Sequence, residues 1–256
     1  MNGIEMTGEN DLEQGTVFLS VVIPAYNEEK RIGGTLEAVI RYLRGQSYSS
    51  EIVVVDDGSR DGTRQVAGSF QNPDVNVRLE GYGRNSGKGF AVKTGMLASR
   101  GQYAVFMDAD LSTPIEMLER FQPLIEAGKD VIIGTRKVDS ARIVKHQPKY
   151  RENMGKVFTW LSNAIFGLKI SDFTCGFKCF SRRSIGPVFG SQRISGWSYD
   201  TEIIVIADRQ GFAVQEVPVE WANDEATRVR LLKNVFTCFS ELFAIWLNDR
   251  RGLYSR

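Results

Sequence analysis

Residues 17–136 alternate between short apolar runs and longer segments with helical spacing, and few folds accommodate this order. The longer segments place apolar residues three or four positions apart, as the buried face of a helix requires. Strands that alternate with helices form a parallel sheet with right-handed crossovers. The pattern therefore predicts an α/β fold with a Rossmann-like, mostly parallel sheet flanked by helices. Predicted strands cover 17–24, 51–57, 76–80, 102–108 and 130–136, and predicted helices cover 28–45, 61–70, 87–100 and 113–128.

The alternation stops after residue 136. A basic, polar stretch at 138–153 has no hydrophobic period, which predicts a long loop. Beyond it we predict helices at 154–170, 198–211 and 228–251 and a strand at 213–221. Because no repeat or linker is evident, we predict one domain with two appendages. These parts are a flexible N-terminal arm (1–16), the domain (17–227) and a C-terminal amphipathic helix extension (228–256).

Composition excludes several classes of protein. Lys and Arg total 32 and Asp and Glu total 31, whereas proteins that coat nucleic acid are normally more basic. Three cysteines and one histidine provide neither a disulfide framework nor a zinc site. The first residues lack the features of a signal peptide, and no uncharged apolar run reaches the roughly 18 residues of a membrane span. We therefore expect a cytoplasmic protein that is not secreted and has no nucleic-acid partner.

Carboxylates collect where the predicted strands end. Asp56 and Asp57 end the second strand, and Asp108 and Asp110 follow the fourth. Ligands of open α/β sheets bind outside the carboxyl ends of the strands. An Asp-x-Asp pair suits Mg²⁺ or Mn²⁺, which prefer carboxylate oxygen and accept substrate phosphate in the rest of their shell. The tripeptide alone is a weak signal, and a solvated turn before the helix at 113–128 is the alternative.

A lysine lies in a glycine-flanked segment, "NSGKG" (85–89), at the start of a predicted helix. The charge of Lys88 and the helix N-terminus together suit a diphosphate. The segment is not a complete P-loop, so it is weak evidence when taken alone. A dinucleotide-dependent oxidoreductase is disfavoured, since no G-x-G-x-x-G motif follows the first strand.

The motifs together resemble family 2 glycosyltransferases with the GT-A fold. The resemblance covers about residues 17–245 and is closest to the polyprenyl-phosphate sugar transferases, in particular the dolichyl-phosphate glucosyltransferase branch. It implies a metal-dependent, inverting hexosyltransferase that moves a sugar, glucose or a related one, onto a polyprenyl or dolichyl phosphate. The matching segments are "VVIPAYNEE" (21–29), "VVDDGSRDGT" (54–63), "NSGKG" (85–89), "DAD" (108–110), "GTR" (134–136), "DFTCGFKCF" (172–180), "WSYDTE" (197–202) and "EVPVEW" (216–221).

The resemblance also implies roles for individual residues. Asp110 is expected to bind Mg²⁺ or Mn²⁺ directly, and Asp108 to bind the metal through water or to bind the nucleotide sugar. Ala222 stands where mannose synthases carry an arginine, which favours the glucosyl branch and hence a UDP-sugar over GDP-mannose. The implied nucleotide-sugar residues are Pro24, Ala25, Tyr26, Glu28, Val55, Asp57, Lys88, Asp108, Ala109 and Asp110. The implied acceptor-phosphate residues are Arg136, Arg151 and Arg228, and the implied catalytic residues are Asp108, Asp110 and Asp200.

Asp200 has more than one interpretation. In relatives that use a hydroxyl acceptor, an acidic residue in this region is the general base. A lipid phosphate needs no base, because its second pKa is about 6 and it is largely a dianion at neutral pH. Asp200 would then position the sugar or the acceptor, and a helix cap is the structural alternative. Transfer to a saccharide hydroxyl in glycan or polysaccharide synthesis stays open, as does a non-catalytic, sugar-nucleotide-binding scaffold.

A polyprenyl phosphate resides in a bilayer, and two predicted helices have the composition to meet one. One carries Phe158, Trp160 and Ile165 beside the basic loop, and the other carries Phe239 and Phe243. Basic residues beside aromatic ones suit an anionic membrane surface. Packing of both helices on the sheet is the alternative. We expect peripheral association with the cytoplasmic face of a membrane.

Overall fold

A computed structural model describes residues 17–138, 140–145, 148–223 and 231–255. The predicted N-terminal arm, His146 and Arg228 lie outside the described residues. The strands are β1 (Leu19–Ala25), β2 (Ser50–Asp56), β3 (Asn76–Gly81), β4 (Tyr103–Phe106), β5 (Val131–Thr135), β6 (Arg142–Lys145), β7 (Lys178–Ser181), β8 (Val214–Pro218) and β9 (Glu220–Ala222). The helices are α1 (Ile32–Arg44), α2 (Thr63–Ser69), α3 (Lys88–Ala98), α4 (Leu118–Glu126), α5 (Lys149–Phe166), α6 (Arg182–Ser191), α7 (Tyr199–Arg209) and α8 (Leu231–Arg250).

The central sheet has seven strands in the order β3-β2-β1-β4-β7-β5-β8. Strand β7 runs antiparallel to β4 and β5, and the other neighbouring strands are parallel. The predicted α/β fold with a mostly parallel sheet is therefore confirmed. Because β1, β2, β4 and β5 run in one direction, their carboxyl ends meet at the same edge, and β7 begins there. Lys178, the first residue of β7, pairs with Phe106, the last of β4.

The predicted loop at 138–153 is wrong in part. Strand β6 lies inside it and pairs in parallel with β9, and α5 begins at Lys149. The backbone explains the pairing, since Arg142 N donates to Val219 O at 3.2 Å and Asn223 N donates to Lys145 O at 3.0 Å. No hydrophobic period marks β6 because this short edge strand is largely exposed.

Each face of the sheet supports its own core, because alternate residues of a strand point to opposite faces. Val22 and Phe106 pack with α3, α6 and α7 on one face. Val21 and Val105 pack with α1 and α4 on the other. Burial on both faces explains the continuous apolar runs of the inner strands.

Helices α5 and α8 each bury one side and expose the other. In α8, Leu242 and Ile245 are buried in the core, whereas Phe243 is 62% exposed. In α5, Phe166 is buried and Trp160 is 69% exposed. Packing and surface exposure therefore coexist in these helices, which the sequence interpretation treated as alternatives. Among the described residues, none of the helices is long and apolar enough to cross a bilayer.

Candidate active site

Asp108 and Lys88 form the centre of the carboxyl edge. Asp108 follows β4, and Lys88 is the first residue of α3. The two side chains are partly exposed and approach to 2.5 Å between Lys88 Nζ and Asp108 Oδ1. Burial by itself lowers the pKa of Lys88, but Asp108, Asp200 and Asp110 outweigh it and raise that pKa. The lysine therefore carries full positive charge among three carboxylates.

The loop that follows Asp108 has a constrained backbone. Leu111 has a positive φ of 55°, and Ser112 N donates to Asp110 Oδ1 at 2.9 Å. Thr35 Oγ1 donates to the carbonyl of Ala109 at 2.6 Å and anchors the loop to α1. These contacts hold Asp110 beside Asp108 at the sheet edge.

Gly176 makes room for Asp108. A Cβ atom at Gly176 would lie 2.2 Å from Asp108 Oδ2, so a larger residue would displace the carboxylate. The segment that precedes β7 therefore forms a wall against Asp108. This close approach gives a physical reason for glycine in "DFTCGFKCF".

The donor chemistry of the Asp108–Asp110 pair fits a hard divalent cation. Among the described residues, His, Cys, Asp and Glu form no group of three or more that is placed to hold a metal ion. Two carboxylates with open positions are typical of Mg²⁺ sites that share the ion with substrate phosphates. The pair therefore matches an ion that arrives with a diphosphate, rather than one enclosed by protein ligands.

Most of the residues predicted to bind the nucleotide at the ends of β1 and β2 have little exposure. Pro24, Ala25 and Val55 are buried in the sheet, and the carbonyl of Ala25 accepts a hydrogen bond from Asp57 N at 2.9 Å. Tyr26 is 40% exposed, which leaves its ring accessible to a base. The carboxylate of Glu28 pairs with Arg31 at 2.6 Å. As nucleotide-binding residues these positions stay predictions.

Asp57 organises the loop that carries Lys88. Its carboxylate accepts hydrogen bonds from Asn85 Nδ2 at 2.7 Å, Ser86 N at 2.7 Å and Gly87 N at 3.1 Å. Gly87 has a φ of 101°, and a Cβ there would lie 2.4 Å from Ser195 O. The observed bonds give Asp57 a positioning function, and its contact with the nucleotide stays a prediction.

Asp200 lies in the first turn of α7 and forms a buried ion pair. Lys178 Nζ donates to Asp200 Oδ1, and it also donates to the carbonyl of Cys175 at 2.5 Å. Burial raises the pKa of Asp200, while Lys178 and Lys88 oppose that rise. Lys178 was not predicted as a site residue, because neither charge nor spacing marks a lysine at the start of an apolar strand as buried.

Arg136 is held by Asp172, which was not predicted as a site residue either. Its Nε donates to Asp172 Oδ2 at 2.7 Å, and its Nη2 donates to Asp172 Oδ1 at 3.0 Å and Thr174 Oγ1 at 2.9 Å. The guanidinium lies 5.1 Å from the centre of the Trp221 ring. Arg136 thus reaches the site edge in a fixed orientation. Arg151 lies in the first turn of α5, and its side chain is not among the parts that the structure describes. Arg228 lies outside the described residues, so its predicted role stays a prediction.

The C-terminal segment supports the loop at 193–198. Glu202, which is buried, accepts from Ile194 N at 2.7 Å and from the hydroxyl of Tyr254 at 2.6 Å. Glu241 of α8 accepts from Ser198 N at 2.9 Å. Between these anchors the loop carries Trp197, whose ring centre lies 5.6 Å from Lys88 Nζ. This support was not predicted, because Tyr254 and Glu241 lie far along the chain from the residues they hold.

The chain is similar to curated glycosyltransferases over most of its length. It is 33% identical to dolichyl-phosphate beta-glucosyltransferase ALG5A of Trichomonas vaginalis, over 94% of this chain and 77% of that protein. It is 32% identical to dolichyl-phosphate beta-glucosyltransferase of Saccharomyces cerevisiae, over 93% of this chain and 77% of that protein.

Solved structures share the fold. Glucosyl-3-phosphoglycerate synthase of Mycobacterium tuberculosis, in complex with Mn²⁺, UDP and glucosyl-3-phosphoglycerate, superposes with a TM-score of 0.65 at 20% identity, over 92% of this chain and 80% of that chain. Mannosyl-3-phosphoglycerate synthase of Rubrobacter xylanophilus has a TM-score of 0.68 at 19% identity, over 91% of this chain and 75% of that chain. The predicted GT-A fold is thereby confirmed. The model of glycosyl transferase family 2 matches residues 20–189, and the chain belongs to that family.

Proposed function

We propose that the chain is an inverting, metal-dependent glycosyltransferase that moves glucose or a related sugar from a UDP-sugar onto a polyprenyl phosphate such as dolichyl phosphate. The observation that carries the proposal is the cluster of Asp108, Asp110 and Lys88 at the carboxyl edge of a family 2 chain. Similarity to dolichyl-phosphate beta-glucosyltransferases supports the lipid acceptor and the sugar.

The site residues suit the departure of a nucleoside diphosphate. Lys88 and the N-terminus of α3 place positive charge where the leaving phosphate gains negative charge. Asp110, with Asp108 beside it, would hold Mg²⁺ or Mn²⁺ against the same phosphates. When bound, the ion supplies further charge stabilisation to the leaving group. An oxygen of the acceptor phosphate attacks the anomeric carbon while the bond from that carbon to the diphosphate oxygen breaks, so no covalent intermediate forms on the protein.

Similarity to the dolichyl-phosphate beta-glucosyltransferases is what supports a phosphate acceptor over a hydroxyl acceptor, and the ion pair of Asp200 is compatible with it. A hydroxyl acceptor needs a general base within hydrogen-bond reach. Asp200 is the acidic residue that would serve as this base, and the buried Lys178 donates a hydrogen bond to one of its carboxylate oxygens. A phosphate acceptor is already ionised near neutral pH. Arg136, Arg151 and Arg228 are proposed to bind that phosphate, because a planar guanidinium matches phosphate oxygens.

Exposed apolar side chains support the proposed attachment to a membrane, which we assign to its cytoplasmic face. Tyr150, Val157 and Trp160 are 51%, 55% and 69% exposed on α5. Phe239 and Phe243 are 43% and 62% exposed on α8, which contacts α5. Exposed patches of this composition mark interaction sites. The neighbouring strand β6 adds exposed basic residues, which anionic lipids attract.

An acceptor panel tests the proposed function. Radiolabelled UDP-glucose is supplied with polyprenyl phosphate or with an oligosaccharide, in Mn²⁺ or in chelator, and GDP-mannose serves as the control donor. We expect label in the lipid fraction only with UDP-glucose, polyprenyl phosphate and Mn²⁺. Transfer only to the oligosaccharide would refute the lipid acceptor. Binding of UDP-glucose without transfer to either acceptor would indicate a scaffold.

A further inference from the structure

Lys178 is a buried lysine that the proposed chemistry does not use directly. Its side chain is fully buried. Its Nζ donates to Asp200 Oδ1 and to Cys175 O, and it lies 5.4 Å from the centre of the Phe106 ring. Two of the three ammonium donors therefore have oxygen partners, and an aromatic face provides a further favourable contact.

The sheet itself does not require this charge. The residues that follow in β7, Cys179 and Phe180, are apolar and buried, as expected of an inner strand. Replacing a buried ion pair by apolar residues is often neutral or stabilising. The stability of the fold therefore gives little reason for a buried Lys178–Asp200 ion pair. The location of the pair points instead to a role at the candidate active site.

The location of the pair is next to the proposed leaving group. Lys178 pairs with Phe106, two residues before Asp108. A Cβ atom at Gly89, the residue after Lys88, would lie 2.7 Å from Tyr199 Cβ, so the first turn of α7 packs against the first turn of α3. If Lys88 binds the diphosphate, the sugar attached to that diphosphate must lie within one or two bonds of the same place. Asp200 is then the carboxylate beside the sugar.

We propose that Lys178 is a positioning residue that holds Asp200 Oδ1, so that Asp200 Oδ2 accepts a hydrogen bond from a hydroxyl of the donor sugar. The contact from Lys178 Nζ is made to Oδ1, and each carboxylate oxygen has two lone pairs with which to accept. Hydrogen bonds from hydroxyls to an ionised carboxylate are short and strong. This inference rests on the proposed function for the donor, and it assigns to Asp200 the recognition of the sugar.

Donor binding tests the inference without any acceptor. Calorimetry in Mn²⁺ gives the Kd of UDP and of UDP-glucose for each protein, and the ratio of the two reports the contribution of the sugar. Wild type is compared with Lys178→Met, Asp200→Asn and the double variant. We expect Lys178→Met and Asp200→Asn each to weaken UDP-glucose about 10-fold and to leave UDP unchanged. In the double variant we expect no loss beyond that of Asp200→Asn, because Lys178 acts through Asp200.

A structural role for Lys178 predicts other results. Equal weakening of UDP and UDP-glucose in Lys178→Met would overturn the proposal, as would a double variant whose two losses add, or a wild type that binds both ligands equally. Should Lys178→Met fail to fold, the double variant, which lacks both buried charges, carries the test against Asp200→Asn. The proposal is supported if the ratio of Kd values for UDP and UDP-glucose is smaller than in wild type by the same amount in both of these proteins. It is overturned if that ratio is as large as in wild type, or if it differs between the two proteins.

Arg78→Met is the matched control. It removes the cation that pairs at 3.0 Å with the buried Glu51, at the amino edge of the sheet. We expect a lower Tm and an unchanged ratio of Kd values. The binding measurements contain no acceptor. If a separate assay showed no glycosylation of polyprenyl phosphate, it would refute the proposed acceptor, and the binding ratios would still test the role of Lys178.

Discussion

Lys88 Nζ lies 2.5 Å from Asp108 Oδ1, so the first side chain of α3 neutralises the first carboxylate after β4. We expect Lys88→Gln to lower kcat/KM for the UDP-sugar by roughly 10²- to 10³-fold. Losses of this size follow when an enzyme loses one preorganised group that stabilises the charge developing in the transition state. Steady-state kinetics with saturating Mn²⁺ measures the effect. Lys129→Gln changes an exposed lysine at the other edge and should behave as wild type. Equal activity of Lys88→Gln and Lys129→Gln would show that Lys88 is not part of the active site.

Asp110 carries the proposed metal site. In wild type, chelator should weaken UDP-glucose binding by at least about 10-fold, because Asp110 and Asp108 would hold an ion that neutralises the diphosphate. In Asp110→Asn, donor affinity should be low and insensitive to chelator. Glu116→Gln, which alters an exposed carboxylate shortly after the motif, is the control. If chelator affects Asp110→Asn as strongly as wild type, the metal ligands lie elsewhere.

Asp172 should make stability depend on pH in the acid range. Burial by itself raises the pKa of Asp172, but the ion pairs with Arg136 and Lys137 outweigh it and hold that pKa below the ordinary value of 3.8. A depressed carboxyl pKa contributes stability that is complete above 3.8 and is lost as the pH falls below that value. Asp172→Asn should cost about 3–5 kcal/mol at pH 7, because it removes a fully buried carboxylate and leaves two partly buried cations without it.

The difference between wild type and Asp172→Asn should therefore shrink as the pH falls from 5 towards 2, and urea unfolding at several pH values measures it. Asp74→Asn serves as the control, since Asp74 pairs with Arg44 at the surface, where an ion pair contributes less than about 1 kcal/mol. A constant difference between wild type and Asp172→Asn across this range would contradict the assignment.

Tyr254 connects the C-terminal segment to α7. Removal of its hydroxyl in Tyr254→Phe deprives the buried Glu202 of a donor at 2.6 Å, and the free energy of unfolding should fall by about 1–3 kcal/mol. Burial already raises the pKa of Glu202, so loss of this donor should raise it further. Tyr150→Phe alters an exposed tyrosine and should leave stability unchanged. Equal stability of the two variants would count against the Tyr254–Glu202 anchor.

Exposed side chains of α5 should govern attachment to lipid. We expect Val157→Ser combined with Trp160→Ser to reduce co-sedimentation with anionic phospholipid vesicles at least several-fold, since the apolar area available for insertion is lost. Leu97→Ser, at a residue 45% exposed on α3, is the control. Binding that falls equally in both variants, or in neither, would place the lipid-binding surface elsewhere.

Local pattern was sufficient to predict the strands and helices of the first half and the Asp108–Asp110 pair. Inner parallel strands are buried on both faces, so β1 and β2 stand out as continuous apolar runs, and acidic residues at their ends stand out by contrast. Only the tertiary structure decided the antiparallel strand β7, since its residues are as apolar as those of a parallel strand. It also decided the partners of the site: Lys178 with Asp200, Asp172 with Arg136, and Tyr254 with Glu202. These pairs join positions 22, 36 and 52 residues apart in the chain, and such contacts leave no period in the sequence.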